Sequence, residues 1–108
     1  MNSPRPTRSD VQSAAAFLEA RCEGLAAKAD FYSDDYRLPT SAEFLLQHLV
    51  AELLADLDNH TAGPLPDDAV RRWNCLADAL GPWDDQPGFD GRRWVPILPR
   101  PDARGART

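Results

Sequence analysis

His48, Glu52, Asp56 and His60 are the residues of this chain whose types and spacing could do chemistry. Each follows the last by four, and side chains four apart are neighbours on a helix surface. Imidazoles and carboxylates in such a row could ligate a metal ion or relay a proton. The angular arithmetic weakens that reading. Each step of four drifts by about 40° around the rod, so the row winds through about 120° and only adjacent members can share an ion. His48 and Glu52 are the candidate metal pair, but a further ligand must come from another segment, and the chain has only these 2 histidines. A solvated polar face explains the row more simply.

A second cluster lies in WDDQPGFDGRRW, residues 83–94. Its acids prompt the question of a calcium loop. The alternation of oxygen ligands such a loop needs is interrupted by Pro87, and no glutamate closes it. What remains is an aromatic and basic segment in which Trp83, Phe89, Arg92, Arg93 and Trp94 are candidate partner-binding residues. The competing expectation is that the aromatics pin a strap to a hydrophobic core, continued by Val95, Ile97 and Leu98. Asp90-Gly91 is a turn signal, and a compact loop is expected there. Pro96-Ile97-Leu98-Pro99-Arg100 also has the spacing of a polyproline ligand, a pattern that arises readily by chance. Nucleophile-elbow, phosphate-loop, dinucleotide and H-E-x-x-H zinc motifs are absent, so no catalytic residue and no cofactor are expected. Cys22 and Cys75 do not form a C-x-x-C pair; two buried free thiols are expected.

The elements that would position these residues are helices. A capping box at Ser9 and Gln12 is expected to open the first, whose apolar stripe runs through Val11, Ala15, Leu18, Cys22, Leu25 and Ala29. DFYSDDYRLP, residues 30–39, reads as a connector whose aromatics fold back on the helices. Thr40 and Glu43 form a second capping-box pattern after Pro39, which predicts a helix over about 41–60. Its leucines and Val50 cover roughly half the circumference, so it needs two neighbours and belongs at the centre. Gly63-Pro64 stops it. Asp67 or Asp68 starts a third helix, with a stripe of Val70, Trp73, Leu76, Ala77 and Leu80, and Gly81-Pro82 stops that one. Arg71 and Arg72 on this helix could pair with carboxylates of the first helix or of a partner.

The expected fold is therefore all-α: a three-helix bundle closed by an aromatic, Pro-rich, irregular C-terminal strap. Residues 9–99 would form the single domain, with a disordered arm over 1–8 and a basic tail over 100–108. At 108 residues, 43% hydrophobic and 27% charged, the chain has the composition of a globular domain. No leader-like or membrane-length apolar run occurs in it, so it is expected to be cytoplasmic.

Charge is unevenly divided. Residues 10–90 hold 16 acids and 5 bases, a net of −11, whereas residues 1–9 carry +2 and residues 91–108 carry +4. An acidic body repels phosphate backbones, so direct duplex binding is not expected. Ala16-Phe17-Leu18-Glu19-Ala20-Arg21, with Trp83-Asp84-Asp85-Gln86-Pro87-Gly88-Phe89 and Trp94, resembles segments of small actinobacterial and actinophage proteins of unknown function. That resemblance implies no activity. The leading expectation is a small non-enzymatic interaction or regulatory module that binds a protein partner, with a homodimer as one form. The alternative is an acidic mimic of nucleic acid that inhibits a DNA-binding protein. A metal-dependent enzyme using the His48–His60 face comes third.

Overall fold

The computed structural model describes residues 5–100, and they form an all-α fold of three helices closed by an irregular segment. Helix α1 spans Arg8–Lys28, α2 spans Asp34–Asn59 and α3 spans Asp67–Leu80; a 3-10 turn at Gly81–Trp83 follows directly. Two of the boundaries differ from expectation, each for a local reason.

Helix α1 is capped by Thr7, not Ser9. The Thr7 hydroxyl accepts the Asp10 N–H at 3.1 Å, and the Asp10 carboxylate accepts the Thr7 N–H at 2.9 Å. This is the reciprocal box that satisfies two otherwise orphaned donors. Residues 5–8, expected to lie outside the fold, therefore belong to it: Pro6 is buried and Arg5 donates to the Gly63 carbonyl at 2.9 Å. Residues 1–4 and 101–108 of the expected arm and tail lie outside the described residues.

Helix α2 begins at Asp34 and runs through Pro39, so residues 34–39 are helix and not connector. A proline inside a helix removes a hydrogen bond and can cost about 3 kcal/mol. The early start gains a turn in which Asp34 and Asp35 complement the positive end of the helix dipole. Thr40 caps nothing; its hydroxyl donates back to the Tyr36 carbonyl at 2.8 Å. In α3, Asp67 and Asp68 occupy the first turn, but Pro66 is the cap, so the acids act through the dipole and not as caps.

The core is built from one stripe of each helix. Val11, Ala14 and Leu18 of α1 meet Leu46, Leu53 and Leu57 of α2, and Val70, Trp73, Leu76 and Leu80 of α3 close over both. Lengths then decide what remains open. At 1.5 Å per residue, the 26 residues of α2 extend about 39 Å, while the 14 residues of α3 extend about 21 Å. The α1–α2 hairpin thus outruns its cover. Its closed end, near Val11 and Leu57, is a three-helix bundle; its turn end, residues 29–33, is two helices with apolar side chains still in water.

Residues 84–100 turn back over the bundle and are pinned to it along their length. Trp94 is buried, and its indole N–H donates to the Ser13 hydroxyl at 3.2 Å. Trp73 donates to the Val95 carbonyl at 2.7 Å. The Asn74 side chain accepts the Ile97 N–H at 2.7 Å and donates to the Ile97 carbonyl at 3.1 Å, as a peptide group in a sheet would. Arg100 donates to Asp78 through both terminal guanidinium nitrogens, at 2.7 and 2.9 Å. Val95 and Leu98, expected to pack against the core, are exposed instead.

Candidate interaction surface

The polar row on α2 is claimed by an arginine. His48 Nε2 lies 2.7 Å from Glu52, and Arg72 of α3 reaches Glu52 at 3.1 Å and Asp56 at 2.6 Å. Hydrogen bonding to Asp56 outweighs burial and holds the guanidinium even more firmly protonated than usual. Arg72 thus supplies the positive charge that a metal ion would have brought to this face. His60 stands exposed at the C-cap of α2, and no group of three or more metal-ligating side chains occurs among the described residues. The arginines pair differently from expectation: Arg72 with α2, and Arg71 with Asp68 of its own helix at 2.9 Å.

The structure divides the five aromatic and basic candidates of the 83–94 segment. Phe89 and Trp94 form a three-ring cluster with Phe17, at centroid separations of 5.3 to 6.2 Å. Arg93 reaches Asp10 at 2.6 Å and Ser9 at 3.0 Å. Burial raises the Asp10 carboxyl, but hydrogen bonds from Thr7 and Arg93 more than offset this and hold it below the usual carboxylate range. Arg92 is exposed, and with Arg5, Arg93 and Trp73 it lines a small cleft of about 190 Å³. Trp83 is half-buried and faces elsewhere, into the surface described next.

That surface is an apolar groove of about 600 Å³ along the uncovered part of the hairpin. Leu18, Cys22 and Leu25 of α1 form one wall, and Leu38, Ala42, Leu45 and Leu49 of α2 form the other. The end of α3, through Cys75, Leu76 and Ala79, closes it together with Trp83. Leu25, Leu38 and Leu45 remain 49%, 70% and 74% exposed. Helix-stripe reasoning treats Leu25 and Leu45 as core because it takes the partner helices to be as long as the stripe. The structure supplies the reason: the 14-residue α3 cannot cover the apolar run of α2, which at 26 residues begins earlier than the sequence pattern predicts.

The rims add detail. Cys22 is half-buried and Cys75 exposed, so the free thiols are not the buried pair expected. Burial, then the carboxylates of Glu43, Glu19 and Glu23, push the Cys22 thiol up, which leaves it a weak nucleophile. Burial and a hydrogen bond shared with Glu23 push the Glu43 carboxyl up as well. Beyond the groove, the hairpin turn carries Phe31 and Tyr32, which touch each other and Tyr36 in the first turn of α2 yet remain 69% and 61% exposed instead of burying against the helices. Tyr32 sits at φ 64°, a left-handed conformation that costs a side-chain-bearing residue about 1–2 kcal/mol.

Neither a family model, nor a curated protein, nor a solved structure matches this chain. No helix among the described residues is long and apolar enough to cross a membrane.

Proposed function

We propose that the protein is a small non-enzymatic interaction module that binds a protein partner through the groove and the aromatic turn beside it. The observation that carries this reading is the exposure of Leu25, Leu38 and Leu45 in one concave surface. Burying a leucine fully is worth roughly 1.5–3 kcal/mol, so covering the exposed parts of these three would contribute about 3–6 kcal/mol. Association costs about 4–15 kcal/mol in lost freedom. The leucines therefore offset the lower part of that range, and contacts from Phe31, Tyr32 and the groove rim complete it.

Tyr32 supports the same reading. Strained, solvent-facing aromatics are costly to keep, and such strain gathers where a surface engages something. Two free thiols suit a reducing compartment, in line with a cytoplasmic module.

An acidic mimic of nucleic acid would need its carboxylates in a row. Among the described residues, seven of the 16 acids of residues 10–90 are instead in ion pairs within 4.0 Å. The other nine are split between the Glu19–Glu23–Glu43 cluster, the hairpin end at Asp30, Asp34 and Asp35, and Asp67, Asp84 and Asp85.

The test is dye binding by the folded protein. An environment-sensitive hydrophobic probe should bind the wild type and lose most of its signal in Leu45→Glu, with the helical circular dichroism unchanged. Equal dye signal from both proteins would refute the groove as an accessible apolar site.

A further inference from the structure

We propose that the partner seated on this groove is a second copy of the same chain, an inference that rests on the interaction-module reading above. The groove does not end at Leu25 and Leu38. It continues towards the hairpin turn as a second cleft of about 360 Å³ whose lining includes Lys28 on α1 and Asp35 on α2. These two charges face the same apolar slot from opposite helices, and neither has an ion-pair partner within 4.0 Å among the described residues. The slot therefore has one basic edge and one acidic edge.

A partner helix of one charge sign would satisfy one edge and repel the other. A second copy satisfies both. Residues 28 and 35 flank the same short turn, so they stand level along the hairpin. A two-fold axis running along the hairpin lays α1 of one copy against α2 of the other, and brings Lys28 of each protomer to Asp35 of its partner, as a self-complementary two-fold interface requires. The exposed leucines of both grooves then face one another. Since α3 and the strap stop short of this end, the two copies meet at their turn ends and diverge below.

Residues 101–108, PDARGART, contain no large apolar side chain to fill the slot. Arg5 and Pro6, where the described N-terminal part begins, lie beside Trp73 and Arg93, away from the groove lining.

Lys28 is the chain's one lysine, which makes the arrangement directly testable on the full-length protein. Sedimentation equilibrium over the micromolar range should show a monomer–dimer equilibrium. Zero-length carbodiimide coupling of the dimer should join Lys28 to Asp35, or to its neighbour Asp34, of the other copy. Lys28→Glu should weaken the dimer about tenfold or more, and Lys28→Glu combined with Asp35→Lys should restore it. Alkylation of Cys22 and Cys75, both in the groove lining, should slow as protein concentration rises. A monomer at every concentration would overturn the proposal, as would a dimer indifferent to both charge changes. A monomer that still binds the hydrophobic dye through Leu45 would leave the interaction-module reading standing and remove only the second copy; loss of both would remove both.

Discussion

Asn74→Ala should loosen the strap far more than the loss of one side chain suggests. Asn74 is the buried polar residue of the core, 4% exposed, and both ends of its amide are used on the Ile97 backbone. Two neutral hydrogen bonds are worth about 0.5–1.5 kcal/mol each, or about 1–3 kcal/mol together. Truncation also leaves the Ile97 N–H and carbonyl without partners, at about 1–3 kcal/mol for each group that water cannot reach. Ile97 is half-buried, so part of that penalty is relieved, and the expected total is about 2–4 kcal/mol. Urea unfolding followed by tryptophan fluorescence measures it. With a slope of about 2 kcal/mol per molar, the midpoint should fall by about 1–2 M. Hydrogen exchange supplies the second readout: amides at 94–97 should lose protection while those of α1 and α2 keep theirs. A midpoint shift under about 0.3 M with exchange at 94–97 unchanged would refute the claim that this amide holds the strap.

Other outcomes follow from the same geometry. Leu53→Ala, at a fully buried position between α1 and α3, should cost about 2–5 kcal/mol by urea unfolding. Leu45→Lys should change stability by less than about 0.5 kcal/mol, whereas Leu46→Lys, one position on and buried, should prevent folding, as circular dichroism would show. Arg93→Met should destabilise the protein at neutral pH. The folded Asp10 carboxyl is held below its ordinary value, so the contribution is full above about pH 3.9 and is lost as pH falls through the folded value. Denaturation at neutral and strongly acidic pH should show the wild-type advantage vanish in acid. Glu43→Gln should do the reverse of Arg93→Met. Its folded carboxyl is held above the ordinary value, so the penalty is absent below about pH 4.3 and full once pH exceeds the folded value. The variant's melting temperature should exceed wild type at neutral pH and match it near pH 4.

The three helices and the strap were legible because their signals are strong and local. Leucines at helical spacing, Gly-Pro stops after residues 62 and 80, and three large aromatics after Pro82 each point one way. Both missed helix starts came from choosing between competing caps. Ser9 and Thr40 each begin a capping-box pattern, but Thr7 with Asp10 makes the box in α1, and in α2 Pro39 is carried inside a helix that starts at Asp34. Nothing local separates these, since the choice depends on which start lets the rest of the chain pack. The groove was hidden for a different reason. Periodicity tells which side of a helix is apolar, not how far its neighbour extends, and Leu25 and Leu45 look the same whether they are covered or left open. The polar row on α2 was visible, whereas the Arg72 that neutralises it comes from another helix and required the fold to be seen.

The exposed end of the α1–α2 hairpin is the proposed meeting place with another polypeptide. The most direct measurement is photo-cross-linking in the cell that makes it, with a benzophenone amino acid placed at Leu45 in the groove or at Gln12, an exposed position on α1 far from it. A discrete adduct from position 45 and none from position 12 is the predicted result. No adduct at 45, or the same pattern from both positions, would contradict the account.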